Sequence, residues 1–186
     1  LISSPLILNR VVEAELIATL YEMDSINLDK TKRVGFLASG KTDARYGNGK
    51  CSPDFNLFED SHSIIQKLVE DLTRSMMKSV KSDVLIHESF FNILGAGGGL
   101  TPHNHINNLD KDIAFNLAKQ KYSLVYYLSV GDQDCSEPGI LKLYDPEEEI
   151  LPCDGMIVIF PAGRLHSAVY GGKKDRIIIG VNFYSL

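Results

Sequence analysis

The stretch VLIHESFFNILGAGGGLTPHNH, residues 84–105, is where the chain changes its period. Before it, Ile64, Ile65, Leu68, Val69, Leu72, Met76 and Val80 recur every three or four residues, which lays one apolar stripe along a helix. After Lys81 that spacing stops. Val84–Leu94 is rich in β-branched and aromatic residues and reads as a strand. Gly95–Gly99 reads as a turn, and Leu100–His105 as a second strand. Strand-length runs continue over 122–130, 139–144, 155–160, 166–170 and 176–184, separated by segments that contain Gly or Pro. Short strands at this spacing predict a mainly β sandwich or barrel rather than alternating βαβ units.

Upstream, 6–8 reads as a strand, Asn9 as an N-cap, and 10–23 as an amphipathic helix. Val34–Leu37 reads as a strand and Asp43–Asp54 as a loop. Ser61 is the expected cap of the helix over 62–81. The simplest architecture is a jelly roll with N-terminal helices packed on one sheet. The whole of 1–186 is expected to form a single domain, with 1–82 as helical support and 83–186 as the jelly-roll core.

Composition narrows the function classes. At 186 residues with 44% hydrophobic content, one domain can bury a proper core. A net charge of −5 argues against broad attraction to nucleic acid. No apolar run approaches the ~20 residues a membrane span needs, and the first residues do not look like a signal peptide. Cys51, Cys135 and Cys153 are widely spaced with no CxxC, which predicts free thiols in a cytoplasmic protein.

The chemistry lies in the histidines. His103 and His105 are two residues apart, so on a strand both imidazoles share a face. His166 follows another strand-like run and the turn Pro161–Leu165. A lone histidine is more often structural, and His62 and His87 are read that way. The HxH pair plus a distal histidine gives an all-nitrogen ligand set, which suits iron, copper, nickel or zinc. Asn107, Asp110 and Asp112 are alternative ligands in the following loop, ranked below His105.

Arg176 opens the last strand. Alternation puts Arg176, Ile178, Gly180 and Asn182 on one face and Ile177, Ile179, Val181 and Phe183 on the other. The second face is wholly apolar and belongs in a core. The first can line a polar cavity in which Arg176 meets a carboxylate. A hairpin through Gly171–Lys174 is expected to bring Arg176 near His166. Of Tyr126 and Tyr127, the latter lies on the more polar face of its strand and is the expected inward hydroxyl.

Taken in order, these residues resemble the Fe(II)- and 2-oxoglutarate-dependent oxygenase superfamily, in its prolyl-hydroxylase-like branch. The matching stretches are His103–His105, Val125–Ser129, Pro138–Tyr144, Asp154–Pro161, His166 and Gly171–Arg176. The resemblance covers about residues 84–186. It implies a double-stranded β-helix, with Fe(II) held by His103, His105 and His166. It also implies that Arg176 binds the distal carboxylate of 2-oxoglutarate, with help from Tyr127. Asn182, on the face of Arg176, is the third candidate for contact with that cosubstrate. His105 stands where the family pattern has Asp. The implied reaction consumes 2-oxoglutarate and dioxygen, releases succinate and carbon dioxide, and hydroxylates a substrate the sequence does not name. The loops Lys41–Pro53 and Ile106–Gln120 are expected to shape access to the site. Two other classes fit in part: a three-histidine iron dioxygenase without an oxo acid, and a non-enzymatic jelly-roll binding module.

Overall fold

The structure, a computed structural model, describes residues 2–27, 56–95 and 99–186, apart from the side chains of 24–27. The expected strand Val34–Leu37, the loops Asp43–Asp54 and Lys41–Pro53, Cys51 and most of the Gly95–Gly99 turn lie outside the described residues.

The strands are β1 (Leu6–Asn9), β2 (Val84–Leu94), β3 (Gly99–His103), β4 (Lys121–Ser129), β5 (Pro138–Leu143), β6 (Glu148–Ile150), β7 (Met156–Pro161), β8 (His166–Tyr170) and β9 (Arg176–Ser185). They form two antiparallel sheets, ordered β1-β7-β4-β9-β2 and β3-β8-β5-β6. From β2 to β9 the chain passes back and forth between the sheets, pausing in the smaller one only for the β5–β6 pair. This is a jelly roll, as the spacing of the strands predicts.

Helices α1 (Ala14–Asn27) and α2 (Ser63–Val80) cover the outer face of the larger sheet. The stripe Ile64, Ile65, Leu68, Leu72 and Met76 is buried there, with Leu16 and Leu20 of α1. Ile177, Ile179, Val181 and Phe183 meet it from β9, the wholly apolar face that alternation picks out. Burying each such side chain stabilises by roughly 1.5–3 kcal/mol, so this layer dominates the core. A smaller apolar cluster between the sheets includes Tyr127, Leu141, Leu143, Val158, Phe160 and Ile178.

Several local expectations are corrected. Asn9 does not cap a helix: it pairs with Met156 in the sheet, and the Arg10 amide donates to the Gly155 carbonyl, so α1 cannot start until the chain leaves β7. Ser61 is not the cap of α2. That position is His62, whose amide donates to the Asp60 side chain at 2.9 Å. Strand β6 is hidden in the acidic run Glu147–Glu149, and forms because it is an edge strand pairing with β5. The largest correction is at 171–175. β8 belongs to the smaller sheet and β9 to the larger, so this segment crosses between sheets and is not a hairpin. Tyr170 holds the crossover: its hydroxyl accepts from the Asp132 amide at 2.7 Å and donates to the Lys174 carbonyl at 2.5 Å.

Arg10 fastens the helices to the sheet. Its guanidinium reaches Glu13 at 2.7 Å, Asp71 at 3.0 Å and the Tyr126 hydroxyl at 3.1 Å. Burial opposes ionisation of Glu13, but hydrogen bonds from Arg10 and Lys67 outweigh it and hold the carboxyl down at about 2. A depressed carboxyl stabilises the fold above its ordinary value of 4.5, and the contribution is lost as pH falls from there toward 2. Arg10→Met is expected to cost about 2 kcal/mol in urea denaturation at pH 7, since it strands two partly buried carboxylates. The difference from the parent should shrink as pH drops below 4. A constant difference across pH would assign the loss to packing instead.

Candidate metal centre

His103 ends β3 and faces His166, which begins β8, as a cross-strand pair. His105 lies past the end of β3, contrary to the expectation that one strand carries both. Its amide donates to the Ala162 carbonyl at 2.9 Å, so the turn after β7 aims it. The three imidazoles therefore converge through tertiary contacts rather than through strand alternation. One ring nitrogen from each lies within 4.8 Å of the others. The His105 and His166 Nε2 atoms are 3.3 Å apart.

The rings are held from behind. His103 Nδ1 lies 2.7 Å from the Thr101 carbonyl and His166 Nδ1 lies 3.0 Å from the Arg164 carbonyl. A carbonyl can only accept, so both Nδ1 atoms carry the proton and both Nε2 lone pairs face inward. His103 Nε2 is buried without a hydrogen-bond partner among the described residues. Burial lowers the basicity of all three. His105 is pushed down to about 2 by burial and then by repulsion from His166, His103 and Lys121, and His166 to about 4 by burial and by His103. All three are neutral at neutral pH, the form that binds a metal ion. Two inward Nε2 lone pairs, that of His103 orphaned, with a third imidazole nitrogen beside them fit a divalent transition metal.

Arg176 lines the same cavity as the three histidines, with its Cζ 5.8 Å from the Tyr170 ring centroid. Arg176 is 2% exposed, and its NH1 has no hydrogen-bond partner among the described residues. Its Cζ stands 5.2 Å from the Tyr127 ring centroid. Burial lowers the Arg176 pKa and raises that of the Tyr127 hydroxyl. Tyr126 points the opposite way, into the helical layer, and donates to the Val11 carbonyl. Gly139 makes room for the guanidinium. Its φ is +82°, and a Cβ there would lie 1.4 Å from Arg176 NH1. The Pro138–Tyr144 motif contains this glycine, but only the folded structure reveals what it faces.

Asn182 also lines the cavity. Its Oδ1 accepts from the Ser123 hydroxyl at 2.6 Å, and its Nδ2 donates to Glu88. The loop carboxylate Asp110 is engaged elsewhere. It pairs with buried Lys121 at 2.8 Å and accepts from the Tyr184 hydroxyl at 2.6 Å and the Asn107 amide at 2.8 Å. His62 and His87 are not part of the cluster. A wider groove of about 470 Å³ touches the outer side of the smaller sheet near Lys142 and Ser167, away from the imidazoles.

No protein-family model matches the sequence, and no curated protein is similar to it at the sequence level. Solved structures are similar in fold. A viral collagen prolyl hydroxylase from Paramecium Bursaria Chlorella virus-1, in a 2-oxoglutarate complex, superposes with a TM-score of 0.65 at 13% identity, covering 98% of this chain and 96% of that one. A Trichoplax adhaerens prolyl hydroxylase, in complex with a hypoxia inducible factor peptide, gives 0.66 at 16% identity over 97% and 83%. HygX from Streptomyces hygroscopicus, with nickel, 2-oxoglutarate and hygromycin B bound, gives 0.66 at 11% identity over 98% and 83%. The chain has the fold of the prolyl hydroxylases and 2OG-Fe(II) oxygenases. Among the described residues no helix is long and apolar enough to cross a membrane.

Proposed function

We propose that the protein is an Fe(II)- and 2-oxoglutarate-dependent dioxygenase that hydroxylates a substrate outside the chain. One observation carries the reading: a cluster of inward-facing neutral imidazoles and a buried, unpaired guanidinium atom share one narrow cavity. In this reading His103, His105 and His166 hold the iron by their Nε2 atoms. Arg176 NH1, with the Tyr127 hydroxyl beside it, takes the distal carboxylate of the oxo acid. The iron supplies the redox chemistry that couples oxo-acid decarboxylation to hydroxylation. The chain supplies the rest. The Thr101 and Arg164 carbonyls fix two ring tautomers, Gly139 leaves space for the clamp, and Leu141, Val125 and Ile178 keep water from the cosubstrate.

The all-histidine ligand set also fits a three-histidine iron dioxygenase, but that reading leaves buried Arg176 without a task. The test is succinate release. Protein loaded anaerobically with Fe(II) is expected to hold about one equivalent of iron, as a single site requires. On exposure to dioxygen it should form succinate only when 2-oxoglutarate is present. His166→Ala should lose both iron and succinate. Iron at full stoichiometry without succinate would favour the three-histidine class, and no iron at all would leave a binding module.

A further inference from the structure

Beside the cavity stands a carboxylate that the reaction itself does not use: Glu88, hydrogen-bonded to the cavity-lining Asn182. Strand β2 has a bulge at His87, where the register with β9 slips between Ile86 and Glu88. Bulges re-aim side chains at sheet edges and beside active sites, and β2 is the edge of the larger sheet. Here the slip leaves Ile86 opposite Phe183 on the helical side and Glu88 opposite Asn182 on the cavity side. The Glu88 carboxylate is then fixed through a short polar row. Ser123 donates to Asn182 Oδ1, which orients the amide, and Asn182 Nδ2 donates to Glu88 Oε1. Ser123 and Asn182 are 2% and 1% exposed and line the same cavity as the three histidines, whereas Glu88 is exposed.

A buried serine and asparagine that hold an exposed acid in place orient a charge toward incoming molecules. Asp110 and Lys121, in the same end of the barrel, pair with each other. Among the described residues no ammonium or guanidinium pairs with Glu88. The imidazole ligand set brings no negative charge of its own, and an oriented carboxylate beside the cavity attracts a cation.

We propose that Glu88, oriented by Asn182 and Ser123, is a recognition subsite for a cationic nitrogen on the primary substrate. This assignment rests on the oxygenase reading, and the experiment separates the two. Protein is loaded with Mn(II), which does not turn over, and with 2-oxoglutarate. Paramagnetic broadening of proton lines is followed in titrations with N-acetyl-L-lysine methyl ester and with N-acetyl-L-norleucine methyl ester, which lacks only the ammonium group. The lysine ester is expected to bind about threefold more tightly, the scale of an ion pair at a solvated site. Glu88→Gln should bring the two probes to equal affinity. Equal binding in the parent protein, or a lysine preference that survives in Glu88→Gln, overturns the subsite. A parallel weakening of both probes in Glu88→Gln overturns it as well, because the carboxylate would then serve the fold. The methylene lines of 2-oxoglutarate are the internal control. If they are broadened and the lysine preference is absent, the subsite alone fails. If they are not broadened, the oxygenase reading fails and the subsite with it.

Discussion

Replacing His105 with alanine is expected to weaken Fe(II) binding by at least about 100-fold, beyond what loss of a supporting partner alone costs. The expectation follows from where the ring lies. His105 Nε2 is 3.3 Å from His166 Nε2, and its amide is pinned to the Ala162 carbonyl, so no neighbouring side chain on the same segment takes its place. His105→Asp should retain iron. The backbone stays where it is, a carboxylate is a competent ligand, and the site regains the negative charge that an imidazole lacks. Equilibrium dialysis under anaerobic conditions, with circular dichroism to confirm folding, measures both variants. The opposite pattern, with His105→Ala like the parent and Asp110→Ala deficient, would move the ligand to the loop. Geometry argues against that outcome, because both Asp110 oxygens are already bonded to Lys121, Tyr184 and Asn107. Releasing Asp110 would leave a buried ammonium unpaired, which is strongly destabilising.

Arg176→Ala should weaken 2-oxoglutarate binding by about 2–5 kcal/mol, the cost of losing one partner of a buried charge pair, and leave iron affinity unchanged. The two effects separate because Arg176 lines the cavity but is not one of the three clustered ligand side chains. Tyr127→Phe removes only a hydroxyl and should cost about 1 kcal/mol by the same measurement. Gly139→Ala should act like Arg176→Ala without touching the arginine. Its methyl group would fall 1.4 Å from NH1, so the guanidinium must leave its position, and the φ of +82° adds backbone strain. Calorimetric titration of the Mn(II)-loaded proteins with 2-oxoglutarate reads all three. Parent-like affinity in Arg176→Ala would remove the main argument for an oxo-acid cosubstrate.

What the sequence by itself determined are the features written in neighbouring residues. The stripe from Ile64 to Val80 specifies a helix with one buried face, and the change of period after Lys81 specifies strands. In β9, alternation alone separates the helix-facing Ile177, Ile179, Val181 and Phe183 from the cavity-facing Arg176, Ile178, Gly180 and Asn182. The preference for Tyr127 over Tyr126 as the inward ring follows from the same rule. Periodicity is local because it reflects which face of one element meets apolar surroundings. The partners of each strand are decided at long range, by which pairings close both sheets at once. Only the tertiary structure therefore shows that Arg176 crosses to the other sheet after Tyr170. It alone shows that His105 is aimed by Ala162 and that His103 stands opposite His166. The space left by Gly139 and the bulge that sets Glu88 opposite Asn182 belong to the same class. Each depends on a backbone far away in the chain approaching within a few ångströms, and no pattern of adjacent residues encodes that approach.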